Sequence, residues 1–150
     1  MRLEDEIQQK GAFVTEYHKL IPNIFYTASW VTAQVNITLK GYDLTPQQYN
    51  VLRILRGQHP TPASVNSIGA RMLDKQSNAS RIIERLKEKG LVKRVENPAD
   101  RRAVNVSITE EGLKLISAVE AQEEIYMKGF KTLSPEEAKL LNDLLDKLRG

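Results

Sequence analysis

Ser77, Asn78, Ser80 and Arg81 place three small hydrogen-bonding side chains and one guanidinium within five residues. Groups of this kind approach base edges closely, and an arginine binds guanine through two hydrogen bonds or grips a phosphate. Arg85, one turn beyond Arg81, is expected on phosphate, whereas Lys87 and Lys89 read as a solvated face paired with Glu84 and Glu88. Further along, Asp100-Arg101-Arg102 ends a turn segment with two adjacent cations. The chemistry on offer is recognition of a polyanionic duplex, with double-stranded DNA as the expected partner.

The charge distribution points the same way. The 150-residue chain carries a net charge of +3, but residues 46–109 hold twelve basic and five acidic groups, while residues 1–45 and 110–150 are slightly acidic. A basic centre between acidic flanks suits a segment that faces nucleic acid while the flanks do something else. Other chemistries are excluded by composition. There is no cysteine, so disulfides, thiolate zinc sites, iron–sulfur clusters and control by thiol oxidation are absent. His18 and His59 are the two histidines, far apart in sequence, and no triad, glycine-rich phosphate loop or metal-spaced cluster accompanies them. No enzyme activity, cofactor or metal is expected. No apolar run reaches the roughly 18 residues that a membrane span needs, and residues 1–6 lack a signal-peptide core, so a cytoplasmic protein without membrane association is expected.

The elements that must position these groups follow from periodicity and capping. Residues 3–40 read as helical, with a heptad seam at Val14, Tyr17, Ile21, Ile24, Ala28, Val31 and Val35. Pro22 lies within it and implies either a kink or two helices. Phe25, Trp30, Ile37 and Leu39 lie off the seam, more apolar surface than one small domain covers, so self-association as a homodimer is expected. Thr45, Pro46 and Gln48 form a capping box for a helix with Tyr49, Leu52 and Leu55 inward. After a loop at 57–63, Ser64 caps a short helix carrying Val65, Ile68 and Met72. A turn leads to a helix from about Ser77 with Ala79, Ile82, Ile83 and Leu86 buried, and Gly90 suits the left-handed position beyond its end. Residues 91–96 and 104–108 are β-prone runs forming a hairpin. Thr109 then opens a helix to about Thr132, and Ser134-Pro135-Glu136-Glu137 opens a last one with Leu141, Leu144, Leu145 and Leu148 on one face. Two short helices joined by a turn and followed by a basic-tipped hairpin make a winged helix-turn-helix fold, mainly α with a small β-hairpin wing.

Three stretches also carry a family resemblance: Leu44-Thr45-Pro46-Gln47-Gln48-Tyr49, the run from Ser77 through Gly90-Leu91-Val92-Lys93-Arg94, and Asp100-Arg101-Arg102 followed by Val106-Ser107-Ile108-Thr109-Glu110-Glu111-Gly112. In order and spacing they resemble the second helix, recognition helix and wing of the multiple antibiotic resistance regulator (MarR) family, over about residues 13–148. The departures are Ile68-Gly69 in place of the usual Leu-Ala, Pro22, and a long amino-terminal extension. Gly69 softens its helix by up to about 1 kcal/mol relative to alanine.

The resemblance implies a homodimeric transcription regulator, usually a repressor, bound to a near-palindromic operator and often released by a small molecule. It implies one domain, 1–150, with dimerisation helices in 1–42 and 113–150 and a DNA-binding lobe at 44–109. It puts Arg102 in the minor groove, with Asp100 orienting it and Arg101 on the backbone. Effectors in that family commonly bind where the dimerisation helices meet the lobe, which brings in Tyr17, His18, Ile21, Tyr26, Trp30 and Tyr49 as lining for a small aromatic or phenolic anion, although core or dimer packing also accounts for each. The alternative is a winged-helix protein-interaction module without sequence-specific DNA binding, which has no need of a twin-arginine wing tip.

Overall fold

The structure, a computed structural model, describes residues 2–96, 104–122, 127 and 130–150. Helix starts follow capping chemistry. Thr15, Thr45, Ser64, Asn78, Thr109 and Ser134 each accept, through a side-chain oxygen, the backbone amide three residues on. Each bond satisfies one of the amides that a first helical turn leaves without a partner. They open α2 (Glu16–Lys40), α3 (Pro46–Arg56), α4 (Val65–Arg71), α5 (Ala79–Glu88), α6 (Glu110–Ala121) and α7 (Pro135–Arg149), behind a one-turn α1 (Leu3–Glu6). At Thr45 and Ser134 the box is complete, with Gln48 and Glu137 reaching back to the cap amide.

Helix α3 is the centre of the core. Val51, Leu52, Ile54 and Leu55 are buried, and Ile68 of α4, Ile83 and Leu86 of α5, and Ile116 and Val119 of α6 close around them. Tyr49, Leu52 and Leu55 point inward as expected. The sheet covers the remaining side. Strands β2 (Val92–Glu96) and β3 (Val104–Ile108) pair antiparallel in the register Val92↔Ile108 and Arg94↔Val106, with Val92, Val106 and Ile108 buried. A third strand, β1 (Ala63–Ser64), joins the far edge of β3 in the order β1-β3-β2. It was not expected: two residues are too short to show alternation, and Ser64 already serves as the cap of α4.

Three expectations for the flanking helices are corrected. Residues 3–40 are not continuously helical, because the chain leaves α1 after Glu6 and re-enters a helix only where Thr15 caps α2. The break falls there and not at Pro22, which lies inside the 25-residue α2. Pro22 has no amide to give the His18 carbonyl, and the helix runs through it as one element. The helix expected to reach Thr132 ends at Ala121, because the Gln122 amide turns to the Val119 carbonyl (3.0 Å) while the Ala118 carbonyl accepts the Tyr42 hydroxyl (3.0 Å).

The heptad seam of α2 divides in two. Val31 and Val35 lie partly buried near the core, whereas Tyr17 is 81% exposed. Off the seam, Phe25 and Ile37 are 72% and 71% exposed, but Leu39, expected with them as uncovered surface, is buried in the core; Leu141, Leu144 and Leu148 of α7 are exposed too. Trp30 packs edge-on against Phe130, ring centroids 5.3 Å apart.

Two glycines behave oppositely when given a methyl group. A Cβ on Gly112 would overlap the Leu91 carbonyl oxygen and lie 2.7 Å from Ile108 Cγ1, whereas one on Gly69 would rest 3.5 Å from Ala79 Cβ, an ordinary contact. Gly112→Ala should therefore lower stability by about 1–3 kcal/mol, and Gly69→Ala should raise it by about 0.4–1 kcal/mol. Denaturant unfolding of both variants checks the signs.

Candidate nucleic-acid interface

The turn between α4 and α5 is held by side chains that cap its backbone. Asn50 Oδ1 accepts the Leu73 amide (2.9 Å), fixing the turn to α3. Asp74 accepts the Gln76 amide (3.0 Å) and the Ser77 hydroxyl (2.7 Å). These donors stabilise the charged carboxylate, the Ser77 hydroxyl foremost and the Gln76 amide next, and hold the Asp74 carboxyl below its ordinary value. Asn78 Oδ1 accepts the Arg81 amide (3.0 Å) and starts α5.

The far end of α5 is closed as firmly. Gly90 adopts φ +72°, and its amide and that of Leu91 return to the carbonyls of Lys87 and Leu86 (both 2.9 Å). This is the double bond pattern by which a left-handed residue ends a helix, with Leu86 and Leu91 buried beside it.

The residues expected to touch DNA separate into four groups. Ser80 and Arg81 stand exposed on the first turn of α5, and Arg81 makes no ion pair or hydrogen bond through its guanidinium with a described residue. Ser77 and Asn78 lie before the helix rather than in it, since the Ser77 hydroxyl bonds to Asp74 and the Asn78 carbonyl oxygen forms the cap. Arg85 pairs with Glu88 (2.9 Å), one turn towards the helix end. Asp100, Arg101 and Arg102 lie outside the described residues. Lys89 reaches Asp43 in the α2–α3 turn (2.8 Å), and Lys87 lies 3.5 Å from Glu84.

Sequence reasoning missed Asn50, Asp74, and the pair between Glu84 and Arg94 of β2. The Asp74-x-x-Ser77 spacing is a local capping signal that was there to be read. The other two are tertiary and leave no trace in the spacing.

A cavity of about 450 Å³ opens where α2, α3, the α4–α5 turn and α6 meet, with Val35, Tyr49, Asn50, Arg53, Leu73 and Val119 among its walls. Arg53 stacks its guanidinium over the Tyr49 ring, 5.9 Å from the centroid. Of the six residues expected to line an effector site, Tyr49 alone lines this cavity. Tyr17, His18, Ile21, Tyr26 and Trp30 are not among its walls; Tyr17 lies about 20 Å along the helix axis from Val31 at 1.5 Å per residue. His18 contacts Thr15 Oγ1 at the start of α2 (2.7 Å), and Trp30 packs on Phe130. Among the described residues no group of three His, Asp or Glu is placed to hold a metal, and no helix is long and apolar enough to cross a membrane.

A helix-turn-helix backed by an antiparallel hairpin, on a mostly helical frame, defines a winged helix-turn-helix protein. Residues 42–103 match the MarR family pattern. The HTH-type transcriptional repressor IacR of Pseudomonas putida is 33% identical over 116 residues, covering 77% of this chain and 68% of that one. The chain belongs to the MarR family, whose members are transcription regulators and not enzymes. Among solved structures, a MarR-like regulator from Bacillus cereus superposes with TM-score 0.78 at 25% identity, covering 89% of this chain and 96% of its own. BpsR of Bordetella bronchiseptica, whose DNA binding is regulated by 6-hydroxynicotinic acid, gives 0.76 at 27% identity, with coverage of 88% and 99%.

The lowered Asp74 carboxyl ties the turn to pH. Because its folded-state value is depressed, the stability it adds is complete above its ordinary value of 3.8 and is lost as pH falls through the folded value. Asp74→Asn should shallow the fall in melting temperature below about pH 4, read by circular dichroism between pH 5 and pH 2.5.

Proposed function

We propose that the protein is a homodimeric repressor that reads an inverted-repeat operator with α5 and releases it when a small aromatic anion binds. The observation that carries the reading is the first turn of α5: Ser80 and Arg81 stand exposed on a helix start that Asn78 and Asp74 hold rigid. Arg81 takes the base edge or phosphate, with Ser77, Asn78 and Ser80 around it. Arg85 grips phosphate after leaving Glu88, which costs under about 1 kcal/mol for an exposed pair. Asp100, Arg101 and Arg102 serve the wing as the family pattern implies.

Within a single domain of 1–150, the exposed apolar residues of α2 and α7 supply the dimer interface, so that 1–42 and 113–150 act as dimerisation helices and 44–109 as the DNA-binding lobe. An interface of this kind exceeds about 1,000 Å² and sets two copies of α5 one helical turn of DNA apart. DNA as the target also places the protein in the cytoplasm. The effector enters the cavity between α2 and α3, where Arg53 and Tyr49 offer a cation and a ring to an aromatic carboxylate. The acid that regulates BpsR has that chemistry and is a suitable first probe. It acts only by binding the two arrangements of the dimer unequally.

Affinity for a duplex selected by the protein from a random pool, measured by fluorescence anisotropy, tests the placement of α5. Ser80→Ala with Arg81→Ala should weaken that duplex by about 5- to 150-fold, since a bidentate base contact contributes about 1–3 kcal/mol of discrimination, and should do so with melting temperature unchanged. Unaltered affinity and sequence preference would overturn it and leave a protein-interaction module as the reading.

A further inference from the structure

Glu84 puts a negative charge on the face of α5 that is expected to meet a polyanion. It lies one turn beyond Ser80 on the same side of the helix. One carboxylate oxygen accepts the Arg94 guanidinium from β2, and the other lies 3.5 Å from Lys87 Nζ. Arg94 stands opposite Val106 in the hairpin, so the pair joins the root of the wing to the middle of α5. A neutral side chain of the same shape would accept the same hydrogen bond without opposing DNA.

The charge therefore has a consequence of its own. Non-specific binding depends on how many free cations the protein brings to phosphates, each releasing counterions. On the free protein Glu84 holds Arg94 and Lys87 in ion pairs, all three side chains being partly exposed. A loose encounter supplies no phosphate at a fixed place to draw these cations away. A complex in register brings the backbone of the duplex to the wing root and does. Resting on the reading of α5 as the recognition helix, we infer that Glu84 is a specificity-determining residue, which withholds Arg94 and Lys87 from non-specific DNA and yields them in the registered complex. Specificity of this kind comes from weakening the wrong complex rather than strengthening the right one.

The test compares Glu84→Gln with wild type on two 30-base-pair duplexes, one of mixed sequence and one selected by the wild-type protein from a random pool, across 50–200 mM salt. Glu84→Gln should bind the mixed duplex several-fold tighter, and the slope of log K against log salt should steepen by about 0.9 for each cation freed. Binding to the selected duplex should change less, so the ratio of the two affinities falls. Glu84→Asp, which keeps the charge, should keep the wild-type ratio. Adding Arg94→Gln to Glu84→Gln should return the slope toward wild type. Melting temperatures within a few degrees of wild type separate these effects from misfolding. If Glu84→Gln leaves the mixed-duplex affinity and slope unchanged, or weakens both duplexes equally, the inference is overturned while DNA recognition by α5 stands. Wild-type protein that selects no duplex from the pool and does not bind the mixed one overturns both.

Discussion

The carbonyls of Gly90 and Leu91 accept the Thr109 hydroxyl (2.7 Å) and the Thr109 amide (3.1 Å). Both carbonyls belong to the two residues that turn the chain from α5 into β2, and Thr109 is the residue that follows β3 and caps α6. The same hydroxyl accepts the Gly112 amide (3.1 Å), and Gly112 has no side chain because the Leu91 carbonyl lies where one would be. The end of α5, both strands of the wing and the start of α6 therefore meet at one polar junction. Apolar packing of Leu86, Val92 and Ile108 surrounds it, but such packing is non-directional and tolerates sliding. The hydrogen bonds set the angle and register at which the recognition helix and wing are presented together.

From that junction the molecule divides by what it leaves exposed. The lobe built on α3 buries nearly all its large apolar side chains, whereas α7 and most of α2 keep theirs open, Leu39 at the end of α2 being buried in the core. Helices α2 and α6 join α3 through the buried Leu39, Ile116 and Val119, and polar bonds add to that packing. Arg56 of α3 pairs with Glu120 of α6, and the Tyr42 hydroxyl bonds to the Ala118 carbonyl. The cavity beside Tyr49 and Arg53 lies in the same region and includes Leu73, whose amide Asn50 holds. A ligand there would touch the flanking helix and the helix-turn-helix turn at once, which is the placement that coupling between ligand and DNA requires.

Much of this frame was legible because its signals are local. A cap and its amide lie three residues apart, so Thr45, Ser64, Thr109 and Ser134 announce their helices, and a single glycine at 90 marks the end of α5. The alternation of 104–108 gave the hairpin for the same reason. What was missed depends on partners distant in sequence. Ala121 ends α6 because Tyr42 takes a carbonyl that a continuing helix would use, and Glu84 meets Arg94 only after the chain has reversed. Helical periodicity tells which side of α2 is apolar but not what each residue along it meets, and Tyr17, which the family resemblance groups with Tyr49, stands about 20 Å along α2 from Val31 of the cavity. Ser77, expected at the start of α5, lies before it for a related reason: Asn78 caps the helix while the Ser77 hydroxyl bonds to Asp74.

The direct test of two copies of α5 reading one duplex is a methylation-protection footprint of the wild-type protein on its selected DNA. Guanine N7 atoms in the major groove should be protected in two patches about 10 base pairs apart, centre to centre, and related by a two-fold axis, as two recognition helices one turn apart require. A single unsymmetrical patch, or firm binding with no major-groove protection, would contradict it.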